Sequence, residues 1–334
     1  MSKDVHTNES DVSFDSPERR LGVLVGFDGS ASSIAALNYG ARVARRRGTA
    51  LTVVNAYSIP PSMYVSPSAA PEKHEAQERA EASEQFLDEA RKHLRDYSGE
   101  VAYRSEVGDA AGVMVDLSSD AQLAVVGARG RGGFLGRVLG SVASALPGHS
   151  HCPTIVVPRK FQTKEEGGEA SSHLDRADTP VVVGVDSSRE SRAALLQAAE
   201  AAEERETSLQ LTMALPLPGT LLWYPELKDS DLLESRAAQL KDFLDEEVQW
   251  LAQHYPSLKA TTLLEPGDPI AVMSKETSAA QLTVLGTHGR GNFSGAVLGS
   301  VSRGVLLKAE GPVMVVPFLE DPRLDRADAT GSDL

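Results

Sequence analysis

Two periodicities alternate along the chain. Short apolar runs suited to buried strands are separated by longer stretches in which apolar residues return every three or four positions. Residues 21–27 (LGVLVGF) are the first run, and Asp28-Gly29-Ser30 ends it. Ser30 can cap a helix over Ala31–Arg47 that places Ile34, Leu37, Ala41 and Ala44 on one face. Gly48 stops that helix, and Arg45, Arg46 and Arg47 suit the negative end of its dipole as a solvated helix end. A strand over 51–56 and a Pro/Ser-rich loop over 58–71 lead to a long helix predicted over 75–97. Its core-facing stripe is Ala80, Ser83, Leu87, Ala90, Leu94 and Tyr97. Residues 101–107 form a weaker third strand, and Asp109 is the N-cap of the helix after it. Residues 122–126 form a fourth strand, a short helix starts at Ser141, and residues 154–157 form a fifth strand. Strands alternating with helices indicate an α/β fold, a parallel sheet covered on both faces.

The same order then repeats. Residues 180–185 ending in Asp186-Ser187-Ser188 match 21–27 ending in Asp28-Gly29-Ser30. Gly267-Asp268 matches Gly108-Asp109, with Pro269 at the favoured first helical position, and 313–316 matches 154–157. The offset is 158 residues at Asp28/Asp186 and 159 at Gly127/Gly286, so the halves differ there by one net loop residue. The chain reads as a duplicated domain, with repeats at 20–158 and 180–317. Residues 1–19 and 318–334 read as tails, the first of them disordered, and 159–179 as a Gly-, Glu- and Ser-rich linker.

A length of 334 residues accommodates two such domains, each with its own core. A net charge of −14 and a pI near 5.1 argue against nucleic-acid binding, which needs a basic face. No apolar run reaches membrane-spanning length, and residues 1–20 are polar and acidic, with no signal-peptide core. The single cysteine, Cys152, has no internal disulfide partner, which points to a reducing cytoplasm. It reads as a small buried side chain. His149-Ser150-His151-Cys152 lacks a partner pair at zinc spacing, so no metal site is expected.

Candidate chemistry concentrates in one stretch and its copy. The first copy contains Gly127, Arg129, Gly130, Arg131, Gly132 and Gly133 and ends in Gly140-Ser141. The second contains Gly286, His288, Gly289, Arg290 and Gly291 and ends in Gly299-Ser300. Both follow an apolar run and precede a helix. Glycines let a ligand approach the backbone, and a helix N-terminus offers unpaired N–H groups and partial positive charge. Together they suit a phosphate chain. The shared pattern is Gly-x2-Gly-x9-Gly-Ser; it is neither a Rossmann fingerprint nor a Walker A loop. If the first and fourth strands are neighbours, Asp28 and Gly127 meet at one crevice, where an acid can accept hydrogen bonds from ribose hydroxyls. The plainer readings are a tight strand-to-helix turn for the glycines and helix capping for Asp28 and Asp186. The turn-only reading of the glycines is weakened because the whole pattern occurs twice.

In these motifs the chain resembles the universal stress protein family, in its tandem, ATP-binding form. The resemblance implies two Rossmann-like sheets, each five-stranded in the order 3-2-1-4-5. It implies ATP in each repeat, with adenine near Ala56 and Ala214. Ribose would lie near Asp28 and Asp186, beside Gly26 and Gly184, and phosphates at the glycines and Ser141 or Ser300. Magnesium would arrive on the phosphates, keeping most of its waters. The fifth strands would pair with each other as an intramolecular pseudo-dimer, because apolar sheet edges do not stay bare. Pairing of whole chains and an unidentified protein partner are compatible with this. Three departures stand out: Pro147 where the other half has Leu306, His288 where the other has Arg129, and Ala-Gln-Leu before both glycine stretches. Proline past the first turn is expected to kink or end its helix, and a histidine's phosphate contact weakens as it loses its proton.

Three functions compete: a nucleotide-holding regulator, a slow ATPase or nucleotide-transferring enzyme, and an interaction protein with vestigial crevices. No Glu, His or Lys is repeated where it would activate water, which argues against fast catalysis. Retention of the glycines in both halves argues against vestigial sites. Trp223 and Tyr224 either cover a nucleotide or pack. The expectation is a nucleotide-binding stress-response protein, not an enzyme.

Overall fold

The computed structural model describes residues 13–59, 71–131, 138–158, 161, 178–216, 231–288, 298–318 and 321–324. The first half runs β1 (Gly22–Gly26), α1 (Ala31–Arg47), β2 (Leu51–Tyr57), α2 (Pro71–His93) and β3 (Val101–Val107). It continues with α3 (Ala110–Leu117), β4 (Ala121–Gly127), α4 (Ser141–His149) and β5 (Thr154–Val157). The second half begins with β6 (Val181–Gly184), α5 (Arg189–Glu203), β7 (Leu209–Leu215) and α6 (Asp231–His254). It ends with β8 (Ala260–Pro266), α7 (Pro269–Glu276), β9 (Leu282–Gly286), α8 (Ser300–Lys308) and β10 (Val313–Val316).

Local chemistry sets the helix ends. Ser30 Oγ accepts from the Ser33 amide at 3.2 Å, and Gly48 ends α1 in the left-handed region with φ 61. Asp109 and Asp268 cap their helices through the Gly112 and Ala271 amides, at 3.1 and 3.0 Å. α2 departs from expectation by starting earlier and ending at His93, short of Tyr97. Residues after it tighten into turns, with the Tyr97 amide bonded to the Leu94 carbonyl at 3.0 Å. Its stripe is nevertheless right: Ser83, Leu87, Ala90 and Leu94 are buried. Pro147 lies inside α4 without shortening it, since α4 and α8 both have 9 residues. Each helix ends soon after this position, so the proline removes little.

All ten of these strands join one sheet in the order β3-β2-β1-β4-β5-β10-β9-β6-β7-β8. Pairing within each half is parallel, in the expected order 3-2-1-4-5. β5 and β10 meet antiparallel, with Ile155 opposite Met314 and Val156 opposite Val313, all buried. Each strand thus covers the other's apolar edge. α1 packs on β1, β4 and β5, and α5 on β6, β9 and β10, so these two helices flank the junction.

The C-terminal ends of α1 and α5 carry opposite charge at equivalent positions. Arg42, Arg45 and Arg46 correspond to Glu200, Glu203 and Glu204 at an offset of 158. Arg47 is therefore not solvated as expected: its side chain is 6% exposed and its Nε lies 2.8 Å from Glu204 Oε1. Arg45 lies over the Tyr97 ring, 5.8 Å from its centroid. Arg205 of the second half donates to Tyr39 Oη of the first at 3.2 Å.

Residues 13–19, expected to be disordered, are anchored. Phe14 is buried, and Arg19 Nη1 donates to the carbonyls of Ser118, Ser119 and Ala121 at 3.2, 3.1 and 2.9 Å. In the expected linker, Phe161 packs edge-on against Tyr39 with centroids 6.0 Å apart. In the expected C-terminal tail, Leu324 is buried against Ala193 and Leu196. Polar composition concealed these segments because each is held by one or two side chains.

Candidate functional site

With β1 between β2 and β4, the connections from β1 and β4 leave toward opposite faces of the sheet. They open a crevice at the carboxyl ends of the strands. β6 and β9 do the same in the second half. The first cleft has a volume of about 630 Å³ and the second about 750 Å³. Gly26, Asp28, Ala56, Gly127, Arg129, Gly130, Arg131, Gly140 and Ser141 all line the first. Gly184, Asp186, Ala214, Gly286, His288, Gly299 and Ser300 line the second. Gly132, Gly133, Gly289, Arg290 and Gly291 lie outside the described residues, as do Trp223 and Tyr224.

Asp28 has two tasks. One oxygen accepts from the Ser30 amide at 3.0 Å, and the other from the Arg131 amide at 3.1 Å. It therefore ties the start of α1 to the glycine segment after β4. Burial pushes its carboxyl up, but hydrogen bonds from Ser30, Ser33 and Arg131 outweigh that and hold it below the usual carboxylate range. It stays ionised at neutral pH. Asp186 bonds Ser188 through both amide and hydroxyl, at 3.1 and 2.6 Å. The N-caps themselves are Ser30 and Ser188, so each acid braces a cap from within its cleft.

The glycines serve different purposes. A Cβ at Gly127 would stand 2.5 Å from the Ser32 carbonyl oxygen, so β4 needs glycine where α1 crosses closely. A Cβ at Gly130 would meet Asp28 Oδ2 at 2.6 Å, so this glycine lets the loop lie on the acid. Arg129 is committed in part to the loop, its Nε donating to the Val138 carbonyl at 2.7 Å. Arg131 places its guanidinium 3.8 Å from the Phe86 ring centroid on α2. His288 Nε2 is buried beside the second cleft and has no hydrogen-bond partner among the described residues.

α4 and α8 differ from their neighbours at one end. Ser30, Asp109, Ser188 and Asp268 cap α1, α3, α5 and α7 with side-chain oxygens. Gly140 and Gly299, which begin α4 and α8, make no side-chain cap bond. Their first-turn residues, Ser141 to Ala143 and Ser300 to Ser302, line the clefts, an arrangement that suits an anion. Both clefts also have walls that the sequence motifs did not reveal. Met114 and Met273 occupy equivalent places, as do Leu139 and Leu298. They look like ordinary core positions in the sequence, and only the sheet order turns them toward a crevice. Arg236 and Leu240 of α6 complete the second cleft. Among the described residues, no group of three or more His, Cys, Asp or Glu could hold a metal ion. No described helix is long and apolar enough to cross a membrane.

Residues 22–158 and 179–317 each match the universal stress protein family. The universal stress protein Rv2623 of Mycobacterium tuberculosis is 32% identical over 300 residues, covering 88% of this chain and 96% of that protein. A universal stress protein of Mycolicibacterium smegmatis is 33% identical over 302 residues, with the same coverage, 88% and 96%. Among solved structures, a universal stress protein of Archaeoglobus fulgidus shares the fold. Its TM-score is 0.60 at 18% identity, over 90% of this chain and 97% of that one. With two matching segments that together take in both clefts, the chain belongs to the universal stress protein family.

Proposed function

We propose that the protein binds ATP in each cleft and acts as a stress-response regulator through nucleotide-dependent shape or partner binding. The observation that carries this reading is the pairing, twice over, of an ionised or hydrogen-bonded aspartate with an uncapped helix N-terminus across one crevice. An acceptor for ribose hydroxyls and a set of amide donors for phosphates then lie on one ligand's path. The volumes fall within the usual range of about 300–1,000 Å³ for small-molecule pockets. Magnesium, if bound, would be held by the phosphates and water, since among the described residues one acid lines each cleft.

Binding fits better than turnover. Asp28 is already engaged by two amides, and Asp186 by its own serine, so neither is poised to activate water. In this reading the functional units are residues 20–158 and 180–317. They form an intramolecular pseudo-dimer through β5 and β10, and the protein is cytoplasmic.

Calorimetry with ATP and magnesium on the purified chain tests the proposal directly, with a stoichiometry near two expected. No heat of binding for ATP or other adenine nucleotides overturns it. Steady phosphate release at ordinary enzyme rates favours the enzymatic alternative instead.

A further inference from the structure

Beyond the strand-end motifs, the repeats share a second signature, on the helix after the second strand of each half. Arg79-Ala80 precedes Phe86-Leu87-Asp88-Glu89 in α2 as Arg236-Ala237 precedes Phe243-Leu244-Asp245-Glu246 in α6. The buried stripes agree with this alignment: Ser83, Leu87, Ala90 and Leu94 correspond to Leu240, Leu244, Glu247 and Leu251. The offset is 157, so the arginines hold one structural position in both halves. Neither is needed for the core. Arg236 is exposed and Arg79 only half-buried.

Arg236 lines the second cleft, whereas Arg79 stands on the helix wall beside the first without lining it. Seven residues are about two helical turns, so Arg79 stands on the same face of α2 as Phe86, about 10 Å nearer the helix start. That face turns toward the glycine segment, because Arg131 stacks on Phe86. Arg79 Nη1 donates to the Ser58 carbonyl at 3.1 Å, just past the end of β2. In the second half Arg236 lines the cleft itself, beside Leu240, Leu215 and Pro216. α6 packs on β7 and β8, whereas α8 follows β9 on the far side of β6. The arginine is therefore across the cleft from the uncapped amides. Its Nη1 donates to Gln239 Oε1 at 3.4 Å along its own helix, while the cleft residues around it, Leu215, Pro216 and Leu240, suit a planar ring better than a phosphate.

Resting on the reading of the clefts as nucleotide sites, we propose that Arg236 and Arg79 are base-stacking residues. Each would lay its guanidinium plane over the ligand's aromatic base from the helix wall, opposite the phosphate end. A planar guanidinium over a π-face is attractive and, at a partly desolvated site, worth about tenfold in affinity.

The test is calorimetric titration of the full chain with ATP, adenosine and tripolyphosphate, before and after Arg79→Ala with Arg236→Ala. Both side chains are at least partly exposed, so the melting temperature of the variant should match the parent. We expect ATP and adenosine each to bind about tenfold more weakly, with tripolyphosphate unchanged. Unchanged adenosine affinity overturns the inference alone. So does a loss confined to ATP and tripolyphosphate, which would make the arginines phosphate contacts. A parent protein that binds neither ATP nor adenosine overturns the nucleotide reading and this inference together.

Discussion

Arg47 at the end of α1 and Glu204 at the end of α5 form an ion pair across the junction of the two halves, 2.8 Å apart. The contact is close, yet the Nε–H is not aligned as a hydrogen bond. Its value is therefore mostly Coulombic, in a place where water is largely excluded: the side chains are 6% and 15% exposed. Removing Glu204 leaves the Arg47 charge buried, with the partly exposed Asp15, 3.3 Å from its Nη1, as its remaining ion-pair partner. Glu204→Ala should therefore cost about 3 kcal/mol, read as a lower urea midpoint. Arg47→Met combined with Glu204→Leu should recover most of that loss, because an apolar pair avoids the desolvation cost. A neutral Glu204→Ala result would show that this ion pair adds nothing net to the junction.

The same cluster makes stability depend on pH. Burial pushes the Glu200 carboxyl up to about 8, and its hydrogen bond and repulsion with Asp15 add to the shift. Arg47 opposes the shift, and Glu204 adds to it. The folded state thus holds a proton that the unfolded chain releases near pH 4.5. Stability from this group is complete below that value and is lost as pH rises toward 8. Urea midpoints should fall between pH 5.5 and 8, and Glu200→Gln should flatten the profile. A midpoint that rises over this window in the parent protein contradicts the assignment.

Much of this was legible in the sequence because the signals were periodic or repeated. Val101–Val107 and Val313–Val316 were bounded correctly from apolar patterning, and Ser30 and Asp109 from cap chemistry. The crevice residues were found because Gly-x2-Gly-x9-Gly-Ser occurs twice. What stayed hidden depends on contacts between distant segments. Arg47 reads as a solvated helix end until α5 is placed against it, and Phe14 as part of a polar tail until its burial is seen. The capping of α1 by Ser30 with Asp28 beside it was legible, but the bond from the Arg131 amide to Asp28 required β4 to lie beside β1.

Glu206 occupies the position that Gly48 holds in the first half, and it adopts a left-handed φ of 51. A side chain there costs on the order of 1 kcal/mol. Glu206→Gly should raise the urea midpoint by about that amount, less the entropy glycine adds to the unfolded chain. A lower midpoint would show that the glutamate side chain offsets its own strain.

The paired cradle glycines should not tolerate the same substitution equally. A Cβ at Gly299 would stand 2.9 Å from the Thr287 carbonyl oxygen, whereas at Gly140 the nearest atom is 3.4 Å away. Both have ordinary negative φ, −58 and −67, so the difference is one of space. Gly299→Ala should cost about 1–3 kcal/mol and Gly140→Ala less than about 1. Equal losses in thermal or urea unfolding would mean that the backbone around Thr287 shifts freely.

His288 and Arg129 stand at equivalent places in two otherwise similar clefts, so they are where the two sites should differ. An arginine keeps its charge at any physiological pH and offers a planar fork of donors, while a histidine brings a charge only when protonated. ATP should therefore bind the first cleft more tightly than the second, and His288→Arg should tighten the second site by about 1 kcal/mol, the value of a fixed charge-assisted hydrogen bond. Competition calorimetry on the parent and the variant reads both effects. If His288→Arg leaves the affinity of the second site unchanged, His288 does not touch the phosphates. The uncapped first turn of α8 would then hold them without it.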